Sequence, residues 1–219
     1  MADQIKRHLP SATFVVIVLL LLAAFAGAFI YAGIYNIGAD APHSKAVFGA
    51  LQELRERAIA HYSRDVTPPA DLNDSKRIAA GAGLYNEMCT GCHLGPGVER
   101  SELSQGLYPS APELARGDDL TPAEQFWVIK HGVKLTAMPA WGRTHSDELI
   151  WDMVAFVRQL PKLNAAQYQA AVASAPADHD EMMKQMMPGM AGASNQHDTA
   201  SEPHEHANDP RKGTGSGKK

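Results

Sequence analysis

Cysteine is nearly absent from these 219 residues: there are two, Cys89 and Cys92. No third cysteine exists to build a disulfide framework, so the pair calls for a local explanation. Charge of one sign is also lacking. Twenty Lys and Arg stand against twenty-four Asp and Glu, a net charge of -4, and nothing in that balance suggests a nucleic-acid partner. The chain has no internal repeat, and aromatic residues make up only 7%. From Ser11 to Ala39 no residue is charged.

That last absence marks the first organised segment. Phe14 to Ile34 is almost wholly apolar, and a helix of this length spans about 31 Å, the thickness of a bilayer core. Residues 11–37 therefore read as a transmembrane anchor, with Tyr31 and Tyr35 near its outer end. Small-residue sites at Ala24-Phe25-Ala26 and Ala26-Gly27-Ala28 resemble signal cleavage points. The apolar run continues past both, so an uncleaved anchor is the preferred reading. Lys6 and Arg7 favour residues 1–10 on the cytoplasmic side.

Beyond the anchor, residues 40–73 read as a helix and a linker. Val47, Leu51, Leu54 and Ala58 form one apolar stripe, with Glu53, Arg55, Glu56 and Arg57 mostly facing elsewhere. Such a helix packs on its own domain or on the membrane surface; the alternative is docking to a partner subunit. Pro68-Pro69 lies in the linker. A helix then starts near Asn73, Asp74 or Ser75 and runs to Cys89, with Ile78, Ala82, Tyr85 and Cys89 on one face. Residues 94–119 carry Gly and Pro too often for a long helix. Thr121-Pro122 opens another helix ending at Gly132, and Thr144 or Ser146 opens the last, whose buried stripe is Ile150, Met153, Val154 and Val157. Residues 164–219 lose periodicity and read as a largely disordered tail, with a short helix foreseen at 178–187.

The chemistry sits in Cys89-Thr90-Gly91-Cys92-His93, the C-x-x-C-H pattern of haem attachment. Thiols at i and i+3 share one side of a helical turn and can add to the two vinyl groups on one porphyrin edge. His93 then offers its imidazole to the iron. A redox dithiol would need surrounding strands, and a zinc site would need a second ligand pair; the sequence offers neither. Met138 is the best candidate for the sixth iron position. It lies in a loop stiffened by Pro139, and thioethers are common axial ligands. Met153 reads as core, while His131 and His145 are alternatives at helix ends.

With these residues in view, the segment from about 74 to 161 resembles a class I c-type cytochrome, and the domain is taken as 74–163. The resemblance implies an all-α fold: three to five helices around one covalently bound haem c, here with an N-terminal transmembrane helix. It implies that Gly81 and Tyr85 on the first helix cross Met153 and Phe156 on the last. It also implies that a loop proline carbonyl accepts a bond from His93. Pro112 is the match, with Pro96 and Pro109 competing, and the axial loop Met138-Pro139-Ala140-Trp141 fits the family pattern.

The function so implied is single-electron transfer by a membrane-anchored monohaem cytochrome on the periplasmic side of the cytoplasmic membrane. Its partners would be a membrane respiratory complex or a periplasmic redox protein, and it would be a carrier rather than an enzyme. The rivals are an electron-transfer subunit of a larger oxidoreductase, a haem sensor, and a copper-handling protein. The copper idea rests on Met182, Met183, Met186, Met187 and Met190 with His179, His197, His204 and His206, since thioether and imidazole suit copper. A solvated low-complexity tail is the preferred reading, because such tracts lack fixed geometry.

Overall fold

The computed structural model describes residues 11–176. Among these residues the regular structure is helical, without a strand. The first helix, α1 (Ala12–Tyr31), is capped by Ser11, whose side chain accepts from the Phe14 amide. None of its residues is buried. It is long and apolar enough to cross a membrane. The stretch after it is tied back to the rest of the protein: the His43 amide donates to the Tyr108 hydroxyl at 2.9 Å, and the Tyr35 hydroxyl lies 2.6 Å from His43 Nδ1.

Helix α2 (Lys45–Ser63) packs on α6 (Pro122–His131). Ile59 is buried in that contact, and the Tyr62 and Trp127 rings stack at 5.9 Å. The stripe read from periodicity holds at Val47, Leu51 and Ala58, which are half-buried, and is corrected at Leu54. Leu54 is 65% exposed, whereas Arg55 is half-buried on the inner side. Arg55, four residues after Leu51, takes the inward place expected of Leu54, and Ile59 beside Ala58 is buried as well.

The centre of the fold is the crossing of α3 (Ser75–Met88) and α7 (Asp147–Val157). Asp74 caps α3 by accepting from the Lys76 amide, and Ser146 caps α7 by accepting from the Leu149 amide. A side chain at Gly81 would run into the Asp152 carbonyl, so the two backbones touch there because Gly81 has none. Around this point Leu84, Tyr85, Ile150, Met153, Val154 and Phe156 are essentially water-free. Arg77 fixes the same crossing from its edge, with Nη1 2.7 Å from Asp152 and Nη2 3.0 Å from both Asp71 and Glu148. Helix α6 closes the other flank, where Phe126 stacks on Trp151 at 4.2 Å. Its start is a capping box: Thr121 and Glu124 each satisfy the other's backbone amide, and Pro122 occupies the first turn.

Between α3 and α6 the chain forms one short turn, α4 (Thr90–His93), a second, α5 (Glu102–Gly106), and a 3-10 turn at Leu114–Arg116. A further 3-10 turn, Trp141–Arg143, follows the Met138 loop. Helix α8 (Ala165–Ala173) is a departure from the sequence reading, which placed residue 165 onward in a largely disordered tail and foresaw a helix only at 178–187. Asn164 and Gln167 form its capping box, and Tyr168 is fully buried against α3. The foreseen helix at 178–187 and the His/Met-rich tract lie outside the described residues.

Candidate functional site

Cys89 closes α3, and its own carbonyl accepts from the His93 amide at 2.8 Å, so the two cysteines and the histidine share one tight turn. Both thiols are free; Cys89 is buried and Cys92 half-buried. Burial, with Cys92 adjacent, pushes the Cys89 thiol up to about 12. It therefore stays protonated at neutral pH, unlike the activated thiolate of a redox dithiol. Among the described residues no three His, Cys, Asp or Glu side chains gather as metal ligands would.

The turn is held from two sides. The Tyr85 hydroxyl donates to the Leu94 carbonyl at 2.5 Å, and Tyr85 packs on Phe156 with ring centroids 5.7 Å apart. On the other side the Thr90 hydroxyl lies 2.9 Å from the Tyr168 hydroxyl, which also donates to Asn86 Oδ1 at 3.2 Å. Thr90 and Tyr168 were not singled out by sequence reasoning. The Asn164-x-x-Gln167 capping signature was the available signal for the helix that carries Tyr168.

His93 Nδ1 lies 2.9 Å from the Pro112 carbonyl oxygen. A carbonyl only accepts, so Nδ1 carries the proton and Nε2 keeps its lone pair. Burial lowers the His93 pKa and the Pro112 bond opposes it only in part, which favours the neutral ring. Pro96 and Pro109 do not make this contact; the carbonyl is that of Pro112.

Met138 lines a cleft of about 720 Å³, together with Met88, Cys89, Cys92, His93, Pro112 and Trp141. Its loop is pinned by its own backbone. The Val133 amide donates to the Met138 carbonyl at 3.2 Å, and the Met138 amide donates to Thr136 Oγ1 at 3.1 Å. Met153 is buried in the core, away from the cleft lining. His131 is exposed and packs on Trp127. His145 is buried against Trp141, not solvated as its place at a helix end suggests.

Residues 76–157 match the family model described as cytochrome C oxidase, cbb3-type, subunit III. This segment is a c-type cytochrome domain. Comparison with curated proteins and with solved structures gave no match. A c-type cytochrome domain carries covalently bound haem c. The cleft fits that group: its volume suits a cofactor, two thiols stand at one wall, and an imidazole with its outer nitrogen already occupied adjoins them. The domain's role is electron transfer.

Proposed function

We propose that the chain is a membrane-anchored monohaem cytochrome that passes single electrons among respiratory partners, with the haem domain on the periplasmic side. In this reading Cys89 and Cys92 hold the haem by thioether bonds, His93 binds the iron from one face and Met138 from the other. The observation that supports it is that His93 and Met138 line one cleft, each fixed by backbone hydrogen bonds. Haem c, when bound, supplies an iron that accepts and returns one electron.

The protein's part is to keep everything else still. The Pro112 carbonyl holds the proton on Nδ1 and fixes the ring plane. The pinned backbone of the 133–138 loop presents the thioether without reorganisation. Two ligands held in place leave no position for substrate, which suits a carrier. Helix α1 would keep the domain near membrane partners and raise its effective concentration there.

Met138→Ala tests the ligand assignment: it should lower the reduction potential and let the reduced protein bind CO. An unchanged potential would show that another group holds that position. A second reading, a stable subunit of a terminal oxidase, is favoured by the description of the matched family. Purification in mild detergent separates the two, since a subunit stays with its oxidase and a carrier does not.

A further inference from the structure

We propose that α2, which lies outside the matched residues 76–157, forms one wall of the haem site, and that Arg55 on it is the cation facing the haem carboxylates. The inference rests on haem occupying the cleft. Phe48, Arg55, Glu56 and Ile59, all from α2, line the same cleft as Cys89, His93 and Met138.

The orientation of α2 is the first argument. Leu54 is turned to solvent, 65% exposed, while its neighbour Arg55 is half-buried on the cleft side. An arginine turned toward a largely apolar cleft while the neighbouring leucine faces solvent reverses the usual pattern, and an anion held in the cleft would account for it. Among the described residues Arg55 has no hydrogen bond or ion pair. Arg57, two positions on, is exposed and paired with Glu53 at 2.6 Å, and Arg77 is surrounded by three carboxylates.

The second argument is charge. Among the described residues Arg55 is the only Arg or Lys lining the cleft, where the other ionisable side chains besides His93 and the two cysteines are Glu56, Asp118 and Asp119. Asp118 is already engaged by the Gln125 side-chain amide and the Leu120 amide. A haem brings two carboxylates on the edge opposite the carbons that join Cys89 and Cys92. Ionised carboxylates entering an apolar cleft already flanked by acids need a cation. It must come from an element other than the cysteine-bearing turn, and α2 packs chiefly on α6.

The test uses the full chain matured with haem in its membrane, and reads reduction potential, haem content and the iron-ligand spectrum. Loss of a positive charge beside the haem favours the oxidised state. Arg55→Gln should therefore lower the potential with the ligand spectrum intact. Arg55→Lys should restore most of it, and Arg57→Gln should leave it unchanged. Loss of haem from Arg55→Gln but not from Arg55→Lys also supports the proposal. A wild-type potential in haem-loaded Arg55→Gln overturns it, as does equal loss of haem from both Arg55 variants. Absence of covalent haem from the wild-type protein would instead overturn the reading on which this inference rests.

Discussion

Gly132 lies directly against the backbone of Met138: a β-carbon at Gly132 would sit 2.6 Å from the Met138 carbonyl oxygen. Its φ is +65°, a left-handed conformation that ends α6 and sends the chain into the Met138 loop. One glycine thus sets both the end of the helix and the place of the thioether. Gly132→Ala should destabilise the holoprotein by about 2 kcal/mol, from strain and contact together. It should also weaken the charge-transfer band that Met-iron ligation gives in the oxidised protein. Denaturant unfolding and the visible spectrum check the two effects separately.

The crossing of α3 on α7 is less forgiving. At Gly81 a methyl group meets the Asp152 carbonyl, which is backbone and cannot turn aside. Gly81→Ala should cost about 3 kcal/mol or more, above the usual range for overpacking. The measurement is the denaturant midpoint of the holoprotein, with Gly49→Ala as the comparison, a helical glycine whose β-carbon would meet open space.

Tyr168 joins α8 to the cysteine-bearing turn by packing and by its hydroxyl. Tyr168→Phe removes only the bonds to Thr90 and Asn86 and should cost about 1 kcal/mol. Tyr168→Ala empties a fully buried site and should cost about 3–5 kcal/mol. A small loss for both, by thermal unfolding, would show that α8 is not part of the folded domain.

Asp152 gives a pH dependence. Burial holds its carboxyl up at about 6, against an ordinary 3.8, although Arg77 beside it pulls the other way. The folded protein therefore keeps this proton to a higher pH than the unfolded chain does. The group's contribution to stability is full below the ordinary carboxylate range and falls as pH rises through about 6. Unfolding free energy measured across this window should decline in the wild type and decline less in Asp152→Asn.

Much of this arrangement was legible in residue order. The apolar run before Tyr31, the caps at Asp74, Thr121 and Ser146, and the attachment pentapeptide each carry a local signal that depends on near neighbours alone. The exposure of Leu54 on α2 was not legible. Val47, Leu51 and Ala58 do face inward, but Arg55 takes the place of Leu54, and Ile59 and the Tyr62–Trp127 stack join the contact. Those contacts join residues far apart in the chain. Helix α8 was missed for another reason: its inward positions, Tyr168, Ala171 and Val172, keep helical spacing, but two of the three are small or short and the stripe is weak in residue order.

Covalent attachment is the claim on which the rest stands. The protein, matured in a host that attaches haem, can be denatured, extracted with acidified organic solvent and digested. Mass spectrometry of the peptide containing Cys89 and Cys92 is then the direct measurement. The account expects that peptide to carry the added mass of one haem and to lose it in the Cys89→Ala, Cys92→Ala double variant. A peptide of unmodified mass, with the pigment recovered in the solvent, would contradict it.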